Sequence, residues 1–296
     1  MKDDELTIKA NAGARANAVD PQTILKTALE ISHMRVPAQR LAQLLQELAS
    51  AIRPGVSTAE LARVCTDRLK TLDLTPIQRG YRGFPADVSI SVNEVAAHGV
   101  PDGRTLHSGD VVTVDLSVDH GGWKADSAWS YTVGEGNAAA HRLLRAARAA
   151  TDAGISAARV GARFGEIGAA VEQAAAQHGC AVARGLCGHG IGRSLHEAPR
   201  VFNGRSAAST ASATSAASAA SAGSGAGARI EPGMVFTVEP VVVLDTAEVT
   251  IVRTPDGYGL RTEDLRPCAQ FEQTVAIFPD RTEVLTAPLT SPRRGR

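Results

Sequence analysis

Between residues 112 and 119 the apolar side chains fall on every second position. Val112, Val114, Leu116 and Val118 alternate with Thr113, Asp115, Ser117 and Asp119. A period of two makes a pleated strand with one apolar and one polar face, which a helix does not present. His120-Gly121-Gly122 follows as a hairpin turn, since glycine reaches the backbone angles a tight turn demands. Such a strand needs a returning partner and a further layer over its apolar face. With His120-Gly121 as the two-residue loop, Asp119 faces Gly122 and Asp115 faces Asp126. Carboxylates opposed across a ladder repel each other. They persist with a cation between them, or with one of them protonated. The alternative is two unrelated exposed aspartates.

The rest of the chain supplies the layers. Val88, Ile90 and Val92 alternate with Asp87, Ser89 and Ser91, a second half-buried strand. Upstream the period is helical: Leu41, Leu44, Leu45, Leu48 and Ile52 form one stripe. Ile24–Thr27 reads as a short strand, Thr27-x-x-Glu30 as a capping box, Pro37 as a kink or restart, and Pro54-Gly55 as the helix end. Ser57-x-x-Glu60 caps another helix with Leu61, Val64, Leu69 and Leu72 turned to the core. Residues 138–150 and 154–178 are Ala-rich and helical, while 234–244, 248–253 and 270–278 are strand-like. Helices on one side of an antiparallel sheet make an α+β fold. Residues 1–21 and 289–296 read as tails around one domain, 22–288. Residues 206–228 contain only Ala, Ser, Thr and Gly and read as a flexible surface insertion rather than a lid.

Composition narrows the function. Lys and Arg number 31 against 31 Asp and Glu, a balance unlike that of a protein built to grip phosphate backbones. No apolar run is long enough to span a bilayer, and the polar N-terminus is not a secretory signal. The four cysteines are widely spaced with no C-x-x-C pair, so a reduced cytoplasm is the expected home.

Three further groups carry chemistry. Cys187-Gly-His189-Gly-Ile-Gly-Arg-Ser-Leu-His196-Glu-Ala-Pro199 sets two histidines in a glycine-rich segment, without the Lys-Ser/Thr of a phosphate loop. Arg200 stands where a second zinc-protease histidine would follow His196-Glu197. Glu239 shares a strand face with Val235 and Thr237, and Glu272 shares one with Gln270 and Thr274. A glutamate on such a strand is costly if buried alone, and a metal or a partner charge would explain it. Taken singly, each also reads as a structural histidine or a surface glutamate. Together Asp115, Asp126, His189, Glu239 and Glu272 suit divalent Mn, Fe, Co or Zn, and bridging carboxylates let five ligands hold two ions. Paired ions serve hydrolysis.

These residues sit in stretches that resemble the type I methionine aminopeptidases, metallopeptidases of the pita-bread fold. The stretches are Gly80-Tyr-Arg-Gly-Phe-Pro85, Ser91-Val-Asn-Glu-Val95, His98-Gly-Val-Pro101, Gly109–Asp115, Cys187–Gly192, His196–Pro199, Glu231–Pro240 and Ala269-Gln-Phe-Glu272. The resemblance implies a curved antiparallel sheet with helices on its outer face and pseudo-two-fold halves. It implies two metal ions on the five ligands, and substrate contacts from His98 and His196. Glu239 would shuttle a proton, and Tyr81, Phe84, Tyr258 and Leu195 would border the methionine pocket. The implied reaction removes the initiator methionine from nascent polypeptides whose second residue is small, by a cytoplasmic monomer in transient contact with the ribosome. Arg82 stands where bacterial members often carry His, Leu195 where an aromatic is common, Ser89 for a cysteine, and Ala125 for a glycine before Asp126. All five ligands are kept, so these departures bear on pocket shape and rate. A proline-specific aminopeptidase or a non-catalytic binding protein of the same fold are the rivals. The first usually carries a large N-terminal domain, and the second typically loses ligands.

Overall fold

The computed structural model describes residues 22–204, 227–245 and 249–288. The two tails and residues 206–226 of the insertion lie outside the described residues. Four α-helices are present among the described residues: α1 (Ala28–Leu48), α2 (Thr58–Thr71), α3 (Ala138–Ala157) and α4 (Phe164–Gln177). The strands of the first half are β1 (Thr75–Pro76), β2 (Ser89–Val92), β3 (Val95–Ala97), β4 (Val111–His120) and β5 (Trp123–Thr132). Next come β6 (Cys180–Val182), β7 (Cys187–Gly190), β8 (Glu197–Phe202), β9 (Val235–Val238) and β10 (Val241–Leu244). The last are β11 (Ile251–Arg253), β12 (Leu260–Thr262), β13 (Cys268–Gln270), β14 (Gln273–Ile277) and β15 (Thr282–Val284).

Two antiparallel sheets matter for the site. In one, β4 pairs with β1, β2 and β5; the other runs β15-β14-β9-β7-β8. Helix α1 packs on β4 and β5, and α3 packs on β10 and β13. Each helix pair therefore backs strands that bring two carboxylates inward, Asp115 and Asp126 in one half and Glu239 and Glu272 in the other. The seam between the halves is made of hydroxyls and backbone. Glu272 N donates to Ala128 O at 2.8 Å. Ser127 Oγ donates to Glu272 O at 2.7 Å, and Thr274 Oγ1 to Asp126 O at 2.8 Å.

Local rules explain the helix starts. Both expected capping boxes form, Thr27 with Glu30 and Ser57 with Glu60. Other expectations are corrected. Residues 24–27 form no strand; Lys26 N instead donates to Gly233 O at 2.7 Å. Helix α1 passes through Pro37 without restarting and stops at Leu48, ahead of Pro54. The buried stripe of Ile31, Met34, Leu41, Leu44, Leu45 and Leu48 on both sides offsets the lost hydrogen bond. On α2, Leu61, Cys65 and Leu69 face the core, and Val64 is exposed. Strands β2 and β4 are covered on both faces rather than one, because β13 and β14 lie over the polar side of β4 and β5.

The hairpin register is also corrected. The two turn residues are Gly121 and Gly122, both at positive φ as a type I′ turn requires. His120 therefore pairs with Trp123, Ser117 with Asp126 and Asp115 with Ala128. A shift of two keeps every side chain on its face. Asp115 and Asp126 still share the inner face, but diagonally, which eases their repulsion. Asp119 faces Lys124 and pairs with its ammonium at 2.5 Å.

Candidate active site

The five expected ligands converge between the halves. Asp126, His189 and Glu272 each offer a donor atom within 4.8 Å of the others. His189 Nε2 lies 3.6 Å from Asp126 Oδ2 and 3.6 Å from Glu239 Oε1. Asp115 is close enough to Asp126 and Glu239 to feel both charges. Each side chain is held by a neighbour. Ser117 Oγ donates to Asp126 Oδ1 at 2.9 Å, Thr237 Oγ1 to Glu239 Oε1 at 2.7 Å, and Gln78 Nε2 to Asp115 Oδ1 at 3.2 Å. His189 Nδ1 meets the Gly190 carbonyl at 3.0 Å, which leaves Nε2 for the centre.

The electrostatics show what the cluster needs. Burial, then the other carboxylates, push Asp115 and Glu272 well above the usual acid range. Burial raises Glu239 to about 7 against the pull of His189 and Thr237. For His189 burial works downward, but Asp126 and Glu239 overcome it and raise the ring to about 9. Glu272 Oε1 is buried with no hydrogen-bond partner. An unpartnered carboxylate oxygen is costly in such a place. Oxygen-rich donors with one imidazole, crowded until they hold protons, fit divalent metal ions.

The other expected residues surround this centre. His196 has ring contact with His189 at 4.1 Å and with Tyr81 at 5.2 Å, and its Nδ1 is 2.7 Å from the Tyr81 hydroxyl. The residue keeps a solvent-touched side, yet the protein around its ring and then the charge on His189 push it down to about 3. His98 sits at the exposed rim with φ at 55°, a left-handed backbone that is strained for a histidine. Desolvation of the ring holds it below the usual histidine range, with Asp126 pulling the other way. Phe84 and Tyr258 meet edge to face at 6.1 Å. Leu195, 7% exposed, packs into the main core. Gln78, Ser117 and Thr237 are supporting residues the sequence reading missed as such. Thr237 could have been found from its place two residues before Glu239, and Ser117 from the right hairpin register. Nothing local marks Gln78.

Comparison with known proteins agrees with this geometry. The model of metallopeptidase family M24 matches residues 32–277. A methionine aminopeptidase from Salmonella typhimurium is 34% identical over 264 residues, covering 88% of this chain and 93% of that protein. Methionine aminopeptidase A from Synechocystis is 34% identical over 87% of this chain and 94% of its own. The crystal structure of the Rickettsia prowazekii methionine aminopeptidase superposes with a TM-score of 0.79 at 30% identity, over 89% of this chain and 99% of that one. The Pyrococcus furiosus prolidase, at 18% identity and a TM-score of 0.66, shares the fold alone. The chain belongs to metallopeptidase family M24, among its methionine aminopeptidases.

Proposed function

We propose that this chain releases the N-terminal methionine of nascent polypeptides whose second residue is small, acting in the cytoplasm as a type I enzyme. The observation that carries the reading is the approach of Asp126, His189 and Glu272 within 4.8 Å, with Asp115 and Glu239 beside them and one Glu272 oxygen buried without a partner. Asp115, Asp126, His189, Glu239 and Glu272 would hold two divalent ions, Mn, Fe, Co or Zn. Bound there, such ions supply Lewis acidity: they acidify water and polarise the scissile carbonyl.

The remaining steps fall to side chains. Glu239, held by the Thr237 hydroxyl, would carry a proton from the attacking water to the leaving amine nitrogen. His196 is neutral at working pH. His196, whose Nδ1 lies 2.7 Å from the Tyr81 hydroxyl, would donate from Nε2 to the carbonyl oxygen as charge grows there. His98 positions the scissile amide. The free α-amino group would be received by one of the ions or a nearby acidic side chain, which would confine cleavage to chain ends. Phe84 and Tyr258 form one wall of the methionine pocket.

The test is methionine release from Met-Ala-Ser against hydrolysis of Ala-Pro, with Mn, Fe, Co and Zn each supplied. Release from Met-Ala-Ser is expected. Cleavage of Ala-Pro alone would favour a proline-specific peptidase, and metal binding without any turnover would favour a binding protein.

A further inference from the structure

One buried ion pair beside the site has no part in the chemistry above. Lys26 Nζ lies 2.5 Å from Glu197 Oε2, with the side chains 3% and 5% exposed. A buried pair of this kind is expensive to desolvate, and its best-attested use is to specify one geometry. Here the geometry is that of the loop from Gly192 to Glu197. The second Glu197 oxygen, Oε1, accepts from Ser194 N at 3.0 Å and so closes the turn that carries Leu195 and His196. Lys26 is itself anchored, since its backbone N donates to Gly233 O at 2.7 Å just before α1 begins. Gly192 leaves room for the pair to meet: a Cβ there would lie 2.6 Å from Lys26 Cε and 2.9 Å from Glu197 Oε1. At the other end of the loop, Lys124 N donates to Gly192 O at 2.9 Å and the Arg193 guanidinium lies 3.8 Å over the Trp123 ring. His196, next to Glu197, is thus held from both sides where its ring meets Tyr81 and His189.

We propose that Lys26 is a positioning residue for methionine release: through Glu197 it fixes the loop that places His196. This rests on the reading of His196 as the donor to the carbonyl oxygen. An interaction that strengthens as the transition state forms shows in kcat rather than KM. The pair should therefore matter to kcat, and only while His196 is present.

The experiment is a double-mutant cycle on the full chain loaded with one metal, with Met-Ala-Ser as substrate. Lys26→Met alone would strand a buried carboxylate, so Lys26→Met is combined with Glu197→Gln to leave no unpaired charge. The combined variant is expected to lose about 10- to 100-fold in kcat, as outer residues supporting a metal site do. KM should move by less than about threefold, with metal content unchanged. Placed on His196→Ala, the same pair of changes should alter kcat by less than about twofold, because the coupling partner is gone. Gly192→Ala presses on the pair without removing charge and should give the same loss, again only with His196 in place. It carries the test if the combined variant does not fold. Equal losses with and without His196, or an undiminished kcat in the folded variant, would overturn the inference while leaving the hydrolase reading intact. A wild-type chain that releases no methionine in any metal overturns both.

Discussion

At the scale of single residues, the site crowds carboxylates together until protons or a bound cation must offset their charge. Glu272 carries the clearest consequence, because one of its oxygens has no partner. Glu272→Ala should lose bound metal by elemental analysis and more than about 100-fold of turnover, beyond the usual cost of removing an outer-shell contact. Full activity on Met-Ala-Ser in that variant would sink the ligand assignment. Thr237→Ala removes a γ-methyl and the hydroxyl that donates to Glu239 Oε1 and accepts from His189 N. A loss of about 10- to 100-fold in activity or metal affinity is expected, with folding retained, as calorimetric titration and circular dichroism would report. The clustering of the five proposed ligands had a trace in the sequence, since Asp, Glu and His in apolar or glycine-rich strands need a reason to be there. Their supporting contacts were less so. Gln78 reaches Asp115 across 37 positions, and a hydrogen bond of that span leaves no local signature.

At the scale of elements, local chemistry and packing share control. The boundary of α1 is set by the Thr27–Glu30 box, both of whose hydrogen bonds form. Thr27→Ala should cost about 1 kcal/mol. In a chain of this size each kcal/mol shifts the melting temperature by about 2–4 °C. The β4–β5 turn is more exacting. Gly121→Val puts a branched side chain at positive φ, an added cost of about 1–2 kcal/mol. Because β4 and β5 carry the proposed ligands Asp115 and Asp126, the same variant should also bind metal more weakly. A melting temperature unchanged from wild type would show that the turn tolerates the strain. The hairpin illustrates where sequence reading stops. Its existence and the shared face of both aspartates followed from the period of two, but the loop position and the burial of that face did not. With glycines at both 121 and 122, only the pairing of whole strands decides between neighbouring turns of equal parity.

At the scale of the molecule, the two halves enclose a buried acidic cluster, so stability is tied to protons and metal. With metal stripped by a chelator, the folded state holds the His189 proton up to about pH 9, against 6.5 for a free histidine. The folded state then binds more protons than the unfolded one between these values, so stability falls as pH rises through the window. Glu239 acts with the same sign between 4.5 and about 7. His196, pushed down to about 3, acts oppositely, adding stability as pH rises from 3 to 6.5. The window from pH 6.5 to 9 is thus the informative one. Scanning calorimetry in chelator should show the melting temperature falling across it. With divalent metal supplied the fall should shrink or reverse, because metal replaces protons on the ligands and binds tighter as pH rises. A melting temperature that climbs with pH in chelator would refute the arrangement of charges.

What the sequence by itself determined was short in range. Capping boxes, the helical stripe and the alternating strand all follow from backbone geometry over a few residues. That geometry is the same in any fold. The tertiary structure alone decided which strand opposes which, why the polar faces of β2 and β4 are buried, and how Lys26 comes to lie against Glu197, 171 positions away. Those outcomes depend on how two halves pack across a common seam. No local period encodes that packing, since its free energy arises only when distant surfaces leave water together.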